Sequence, residues 1–253
     1  MSTVSWIVLT YNRGQRVQDS ILDLQRTAGA KWDELIWIDN GSTDGLARCF
    51  EDWFRPDIAV KNKINLGVAH GYNRGLALAT GDWLLITGCD RTMPRDWLKT
   101  LKEYADKVTN TGVISIYAHP IEKSPERKRG EVEIVEGLPL QKAMPMGAKM
   151  IRRDLFKKAG FLREDFGLYG WEDVEHGYRM ERVAKEMGLL TYIVPGLQAV
   201  HHGDEGNNEF VGNDPHQYWR FKQEQVRDKN KTDLMAKCSK EGYLYYNPYS
   251  EDY

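Results

Sequence analysis

Residues 35–45 read LIWIDNGSTDG, a short apolar run that ends at an acidic residue and passes directly into a turn of Asn, Gly, Ser and Asp. An apolar run of this length, bounded by turn residues, predicts a buried β-strand. The same arrangement recurs in residues 4–12 and in residues 83–90, where polar residues again follow an apolar run. Ligands of parallel sheets bind at the carboxyl ends of the strands, so these polar residues are the first candidates for a binding site.

Helices are predicted between these strands. Apolar residues at close to helical spacing predict helices over residues 16–26 and 68–79. A third helix is expected to start at a cap offered by residues 42–44 and to run toward Trp53, before a third strand over residues 58–62. Strands that alternate with helices predict an α/β fold with a doubly wound sheet.

The second half of the chain shows a less regular pattern, in which apolar runs are shorter and charged or Gly-rich stretches separate them. The elements predicted there are helices over 97–108, 153–159 and 172–187, strands over 112–117, 144–151, 190–194 and 198–202, an exposed loop or hairpin tip over 123–133, a mobile stretch over 203–214 and a final helix over 216–227.

The composition narrows the class of protein. A chain of 253 residues can bury a sizeable core in one large α/β domain. Its 35 basic and 37 acidic residues leave a net charge of −2, which gives no general attraction to nucleic acids or anionic membranes. Cys49, Cys89 and Cys238 are widely spaced, a pattern that predicts neither a disulfide framework nor a zinc knuckle. Because no apolar run is long enough to span a bilayer and no signal peptide is evident, a cytoplasmic location is expected.

Four motifs follow one another in a fixed order: IVLTYNR over residues 7–13, LIWIDNGSTDG over 35–45, NLGVAHGYNRG over 65–75 and WLLITGCD over 83–90. In order and spacing they resemble glycosyltransferase family 2. The resemblance implies a GT-A fold, which is an α/β fold whose Rossmann-like nucleotide-binding half, with a mixed central sheet flanked by helices, is fused to an acceptor-binding half.

The resemblance also implies an organisation and an activity. Residues 1–214 would form the GT-A domain, with 1–95 as the nucleotide-sugar-binding half and 96–214 as the acceptor and catalytic half, while 215–253 form a C-terminal helix and tail. The implied reaction moves a sugar, expected to be a hexose, from a nucleoside diphosphate sugar to a hydroxyl, with UDP as the expected nucleotide. A glycan acceptor is favoured, and a lipid-linked glycan, a protein or a modified nucleic acid base stays open.

Donor-binding residues are carried over from the first four motifs. Tyr11 would offer a flat face to the base, and Asp39 would accept a hydrogen bond from the base or ribose. The small residue Gly67 would let the start of a helix approach the diphosphate closely. The full set of implied donor contacts is Thr10, Tyr11, Asn12, Arg13, Asp39, Asn65, Gly67, Asn73, Cys89 and Asp90.

The chain departs from the family at the strand end that usually carries a D-x-D motif. Gly88-Cys89-Asp90 lacks the first carboxylate and keeps the last. By resemblance, Asp90 binds Mn²⁺ or Mg²⁺, for which a carboxylate is a suitable hard ligand beside diphosphate oxygens. A histidine after the acceptor helix often completes this site in the family. Strand alternation points His201 and His202 to opposite faces, so only one of them is expected to bind. His202, which lies closer to the mobile stretch over 203–214, is the first choice, and His201 is the second.

The acceptor half carries a fifth match. Residues 159–161 and 167–175, with Gly147 upstream, resemble the G-G-F…G-x-E-D-x-[DE] stretch of the family and also β-1,4-galactosyltransferases. By resemblance Asp173 is the general base, which implies inversion at the anomeric carbon. Glu172 is assigned with it to catalysis and to binding sugar hydroxyls, Trp171 to stacking on a sugar face, and Gly147 to the acceptor site. An acidic first turn that complements the helix dipole is the alternative, and it accounts well for Glu175.

Two other functions stay open at this point. The missing carboxylate at Gly88 is compatible with a non-catalytic relative that only binds a nucleotide or sugar. A nucleotidyltransferase shares the broad topology, although such enzymes usually open with a Gly-rich loop that residues 10–14 do not provide. His119, His176 and His216 lack any such motif and are expected at the surface.

Overall fold

The computed structural model describes residues 2–12, 14–119, 130–145, 147–201 and 229–249. Within these ranges the chain forms ten strands and seven α-helices. The strands are β1 (Val4–Thr10), β2 (Glu34–Asp39), β3 (Ile58–Lys61), β4 (Trp83–Thr87), β5 (Arg91–Thr92), β6 (Thr111–His119), β7 (Val132–Val135), β8 (Leu138–Lys142), β9 (Ala148–Arg152) and β10 (Leu190–His201). The helices are α1 (Gly14–Thr27), α2 (Leu46–Phe54), α3 (Val68–Leu78), α4 (Trp97–Lys107), α5 (Arg153–Ala159), α6 (Glu172–Glu186) and α7 (Lys229–Lys240).

The strands form one mixed sheet in the order β3-β2-β1-β4-β9-β6-β10-β8-β7, with β5 paired to the end of β10. Strands β3, β2, β1 and β4 are parallel, β9 runs antiparallel between β4 and β6, and β10 is parallel to β6. The predicted α/β fold with a mixed central sheet is therefore confirmed. Because Thr10 is level with Asp39 and Val8 with Thr87, the polar ends of three strands meet at one edge.

Alternate residues of the central strands face two separate apolar cores. Trp6 and Trp37 belong to one core, Ile7 and Ile38 belong to the other, and all four are fully buried. Helices α1, α2 and α4 cover the first face of the sheet, and α3, α5 and α6 cover the second. Burial on both faces explains why these strands are apolar without alternation. No helix in the described part of the chain is both long and apolar enough to cross a bilayer.

A hairpin of β7 and β8 begins at the end of the stretch over residues 123–133 for which the sequence predicts an exposed loop or hairpin tip. Its turn consists of Glu136 and Gly137, whose φ angles of 49° and 77° are the pair of positive values that a tight two-residue hairpin requires. The hairpin extends the far edge of the sheet by pairing with β10. Residues 120–129 of the predicted loop lie outside the described residues.

Strand boundaries in the last third also differ from the prediction. The strands predicted over 190–194 and 198–202 are a single strand, β10, with an irregularity in its pairing to β6. The strand predicted over 144–151 is confined to the shorter β9. Helix α7 lies in a stretch to which the sequence pattern assigns no element, and the elements predicted over 203–214 and 216–227 lie outside the described residues.

Candidate active site

The turns after β1 and β2 are tied to each other. Asn12 has a left-handed backbone (φ 48°), donates its N–H to the Ser42 hydroxyl at 2.8 Å, and accepts the Thr43 N–H on Oδ1 at 2.7 Å. Asp44 Oδ2 accepts the N–H of Gly14, the first residue of α1, at 2.8 Å. Ser42 and Asp44 therefore order this turn, and the two strand ends act as one rigid edge.

The expected cap of α2 is not formed, because the helix begins after Gly45 (φ 81°) with no side-chain hydrogen bond. The Ser42 hydroxyl instead donates to Asp39 Oδ1 at 2.5 Å, and Asp39 is only 3% exposed. The Thr10 hydroxyl is also used inside the fold, since it accepts the indole N–H of Trp37 at 2.9 Å. This corrects the prediction for the Thr10 side chain, whose hydroxyl faces the core rather than the edge.

The third motif packs against the second half of the protein. Gly67 has φ 95°, and a Cβ there would lie 2.9 Å from the carbonyl oxygen of Gly167. The next residue donates its N–H to the Leu168 carbonyl at 2.9 Å. Asn65 Oδ1 closes the loop by accepting the Gly67 N–H at 2.9 Å and the Asn40 amide at 2.8 Å. A close approach to protein backbone, rather than to a diphosphate, therefore requires the glycine at this position.

Asn73 is a second link between the halves. Its amide donates to the Leu162 carbonyl at 2.8 Å and to Glu164 Oε1 at 2.9 Å, and its Oδ1 accepts the Leu162 N–H at 2.9 Å. The residue is fully buried. The structure thus corrects the prediction that Asn73 contacts the donor, because its whole hydrogen-bonding capacity on this face serves the protein.

The end of β4 explains the missing carboxylate. Gly88 does not have a positive φ, so its backbone conformation is open to other residues. A Cβ at this position, however, would lie 2.7 Å from Asp90 Oδ1 and 3.2 Å from Arg91 Nε. A side chain here would therefore have to displace the Asp90 carboxylate and shift the Arg91 side chain slightly.

The Tyr72 hydroxyl shows which groups gather around this strand end. It donates to the last main-chain carbonyl of β4 at 2.9 Å. Burial raises the pKa of Tyr72 well above its ordinary value, the charges of Cys89, Asp90 and Glu172 raise it further, and the Arg91 guanidinium opposes them. Groups from the donor edge and from the start of α6 therefore act on one hydroxyl.

The residues at this edge suit a divalent cation that takes most of its ligands from a bound substrate rather than from the protein. The described residues contain no group of three or more His, Cys, Asp or Glu side chains arranged to hold a metal ion. Asp90 supplies one hard oxygen ligand. Mg²⁺ is commonly held by one or two carboxylates together with substrate phosphates, so a single carboxylate beside a diphosphate fits such an ion.

Helix α6 begins at the centre of the site. Trp171 precedes it in a left-handed conformation (φ 75°), and Glu172, only 4% exposed, is its first residue. Burial and, second, the charge of Asp173 raise the pKa of the Glu172 carboxyl, while main-chain N–H groups and the Lys231 ammonium oppose the rise. The net pKa is about 7. Glu172 Oε2 is buried without a hydrogen-bond partner among the described residues. Asp173 beside it is partly exposed.

A buried cation lies behind this carboxylate pair. Lys149 of β9 is 2% exposed, and burial lowers the pKa of its ammonium to about 8, against the attraction of Asp173. Its Nζ lies 3.2 Å from His176 Nδ1, and His176 Nε2 lies 3.1 Å from the Gly160 carbonyl. A carbonyl only accepts, so Nε2 carries the proton and Nδ1 accepts from Lys149. Burial lowers the pKa of His176 well below its ordinary value, so the prediction that it is a surface residue is wrong.

Glu175 lies in the first turn of α6, where an acidic residue complements the helix dipole, and it also takes part in a buried ion pair. It is fully buried and forms a two-pronged ion pair with Arg179, at 2.9 and 2.6 Å. Arg179 also donates to the carbonyls of Ala159 and Phe161 at 2.6 and 2.7 Å. This network fixes α6 against the segment after α5, and thereby fixes the position of the carboxylates at its first turn.

Several predicted residues remain to be placed. Tyr11 and Cys89 lie partly exposed at the edge, and Gly147 (φ 65°) faces the Arg91 guanidinium, because a Cβ there would lie 3.1 Å from its Nη1. Arg13 and His202, together with the side chain of His201, lie outside the described residues. Arg91 and Lys149 were not among the site residues predicted from the sequence. For Lys149 there was one signal, a lysine within an apolar strand.

Comparison with known proteins relates the chain to a family of glycosyltransferases. The chain matches the sequence profile of Glycosyl transferase family 2 over residues 5–169. It is 30% identical over 108 residues to the abequosyltransferase RfbV of Salmonella typhimurium, covering 41% of this chain and 32% of that protein. It is 34% identical over 94 residues to the uncharacterized glycosyltransferase YfnE of Bacillus subtilis, covering 36% of this chain and 24% of that protein. The matched segment thus spans a third or less of either relative.

Solved structures share the fold at low sequence identity. The mannosyltransferase PcManGT of Pyrobaculum calidifontis, in complex with GDP-Man and Mn²⁺, superposes with a TM-score of 0.62 at 18% identity, over 93% of this chain and 64% of that chain. Residues 1–349 of S. aureus TarS superpose with a TM-score of 0.59 at 16% identity, over 82% of this chain and 62% of that chain. The family profile covers more than half of the sequence, and the motifs it spans build the edge described above. The chain belongs to glycosyltransferase family 2.

Proposed function

We propose that this protein transfers a hexose from a nucleoside diphosphate sugar, with UDP as the favoured nucleotide, to a hydroxyl of a glycan acceptor, with inversion. The observation that carries the proposal is that the charges of Asp90, after β4, and Glu172, at the start of α6, both raise the pKa of the Tyr72 hydroxyl, which donates to the last carbonyl of β4. This shared influence supports one site between the end of β4 and the start of α6. The proposed catalytic domain, residues 1–214, extends beyond the family profile because β10 belongs to the same sheet and α6 packs on one face of it.

Asp173 is the proposed general base. Its place in the first turn of α6 leaves the carboxylate partly exposed, while the helix behind it is fixed by buried contacts. A carboxylate in that position takes the proton from the acceptor hydroxyl as its oxygen attacks the anomeric carbon. Attack from the face opposite the leaving diphosphate inverts the configuration. The buried Lys149 ammonium attracts the Asp173 charge from the protein side and helps to hold the carboxylate in place.

Glu172 is proposed to bind a sugar hydroxyl. With a pKa of about 7, its carboxyl carries a proton in roughly half of the molecules at neutral pH. It can then donate or accept a hydrogen bond, and its unpartnered Oε2 is the atom suited to that contact. Trp171, partly exposed at the helix start, is proposed to stack on a sugar face.

The donor is proposed to lie along the edge formed by Tyr11, Asn12, Asp39 and Asp90. A Mn²⁺ or Mg²⁺ ion held by Asp90 and the diphosphate oxygens would offset the negative charge that develops on the leaving group. Two neighbours in fold support this choice, since one was solved with GDP-Man and Mn²⁺ and another, GalNAc-T7, with UDP, GalNAc and Mn²⁺. Their nucleotides differ, so the preference for UDP rests on the sequence resemblance.

Donor binding and turnover test the proposal separately. Calorimetric titration of UDP, GDP and their sugars, with Mn²⁺ and with EDTA, is expected to show binding of one nucleotide that requires the metal and is lost in Asp90→Ala. Release of the nucleotide from its sugar, with water or mixed glycans as acceptor, measures turnover. Asp173→Asn should lower turnover by about 10²- to 10⁴-fold and leave donor affinity unchanged.

The control is Asp106→Asn, which removes an exposed carboxylate of α4 and should behave as wild type. Nucleotide binding without any turnover would favour a non-catalytic relative. Binding of neither UDP nor GDP would refute the proposed donor site. Full activity of Asp173→Asn would refute the assignment of the base while leaving the transfer reaction intact.

A further inference from the structure

Arg91 is held in place by its main chain at the donor edge. Its N–H donates to the Ser20 hydroxyl at 3.1 Å, and that hydroxyl donates to the Arg91 carbonyl at 2.8 Å. The residue also pairs with β10 in the sheet, as the first residue of β5. The starting point of the side chain is therefore fixed between α1 and the sheet.

The guanidinium lies between two glycines. A Cβ at Gly88 would be 3.2 Å from Nε, and a Cβ at Gly147 would be 3.1 Å from Nη1 and 3.4 Å from Nη2. Side chains at either position would press on the guanidinium. The absence of a carboxylate at Gly88 is thus matched by the presence of a cation in the space that a side chain there would enter.

Two donors of this cation are left without acceptors. Nε and Nη1 of Arg91 are buried and have no hydrogen-bond partner among the described residues. Arginine stays charged in proteins, and a buried charged donor without an acceptor carries a substantial free-energy cost. Unsatisfied groups of this kind are rare in folded proteins, and each calls for an explanation, such as an ion or a water that completes its hydrogen bonds.

We propose that Arg91 binds the diphosphate of the nucleotide donor, with its Nε and Nη1 donating to phosphate oxygens. The planar fork of a guanidinium matches two such oxygens. Asp90 lies on the same side of Gly88, so the site would combine one metal-binding carboxylate with one direct cation. This inference rests on the proposed function, since it assumes a diphosphate donor at this edge.

Calorimetry on the full chain tests the inference with UDP or GDP, whichever the wild type binds, and with the matching nucleoside. Arg91→Met keeps the stem of the side chain and removes the donors. It should weaken binding of the diphosphate by about 10- to 100-fold and leave binding of the nucleoside unchanged. Arg95→Met, at an exposed arginine in the next loop, is the matched control and should bind as wild type.

The thermal midpoint separates ligand binding from a structural role. Arg91→Met should not lower the midpoint of the free protein, since it removes unsatisfied donors, but it should reduce the rise in midpoint that the nucleotide produces. If Arg91→Met does not fold, Arg91→Lys, which keeps the charge and loses the fork, should still bind the diphosphate more weakly. Diphosphate affinity within about twofold of wild type, or equal losses for nucleoside and diphosphate, would overturn the inference. Failure of the wild type to bind either nucleotide would instead refute the proposed function.

Discussion

Replacing Glu172 with glutamine should stabilise the folded protein at neutral and alkaline pH. The side chain is 4% exposed at the start of α6, and one of its oxygens is buried without a partner in the described part of the chain. Glutamine has the shape of the protonated carboxyl and cannot ionise. The substitution therefore removes the free-energy cost of placing a negative charge beside Asp173 in a buried position.

The magnitude follows from the two pKa values of the carboxyl. Its ordinary value is 4.5, and burial with the Asp173 charge raises it to about 7 in the folded protein. Below pH 4.5 both states are protonated, so the group has no effect on stability. Between pH 4.5 and 7 the unfolded chain loses its proton first, and the free energy of unfolding falls with rising pH. The loss amounts to about 3 kcal/mol and is complete above pH 7.

Urea unfolding of both proteins at pH 5 and pH 8 measures this difference. Glu172→Gln should exceed wild type by about 3 kcal/mol at pH 8 and by less than about 1 kcal/mol at pH 5. Glu186→Gln is the control, because this exposed residue of the same helix forms only a surface ion pair and should change stability by less than about 1 kcal/mol at both values. A Glu172→Gln protein that is no more stable than wild type at pH 8 would refute the reasoning.

Three further substitutions test the contacts that build the site by urea unfolding. Gly67→Ala should lower the free energy of unfolding by several kcal/mol, since it combines a positive φ with a Cβ clash. Gly188→Ala, at φ 69° with open space around it, should lower it by only about 1–2 kcal/mol. Equal losses for the two variants would contradict the contact between the halves. Arg179→Met should cost about 3–5 kcal/mol by leaving a buried carboxylate unpaired, against under about 1 kcal/mol for the exposed Arg26→Met, whose guanidinium pairs with Asp23. Lys149→Met should raise the free energy of unfolding by up to about 3 kcal/mol at pH 7. This advantage should shrink as the pH rises from about 8, where the folded protein loses the proton, toward 10.5, where the unfolded chain also loses it. A stability difference that does not depend on pH would exclude a buried charge.

The elements that hold the donor edge were predictable because their signals are local. Strands β1, β2 and β4 are apolar runs that end in turn residues, and helix α6 has both an acidic start and a following glycine. The β7–β8 hairpin lacks such a signal, because its strands are short and half exposed. Helix α7 is rich in charged residues and carries few apolar ones, so its formation depends on packing that the sequence pattern does not show.

In the candidate site, too, some side-chain positions follow from the local sequence and others depend on residues far along the chain. Asp90, Glu172 and Asp173 belong to motifs, and their positions in the fold follow from the strand or helix that carries them. Asn73 belongs to a motif as well, but its partners lie far along the chain and turn it away from the donor. The significance of Arg91 depends on glycines that lie before and after it in the sequence and meet only in the fold.

The spacing between the proposed donor edge and Asp173, the proposed base, depends on the segment that joins α5 to α6. The start of α3 contacts the backbone at Leu168, Asn73 binds the carbonyl of Leu162, and Lys231 of α7 donates to the carbonyl of Tyr169. Each contact ends on main chain, so the path of the segment is fixed whatever its exposed side chains are. A displacement inverting the anomeric carbon needs the acceptor oxygen and leaving group in line, and an error of about 1 Å can cost about 100-fold in rate. Buried backbone contacts of this kind provide that accuracy, while the partly exposed carboxylate of Asp173 remains open to an acceptor.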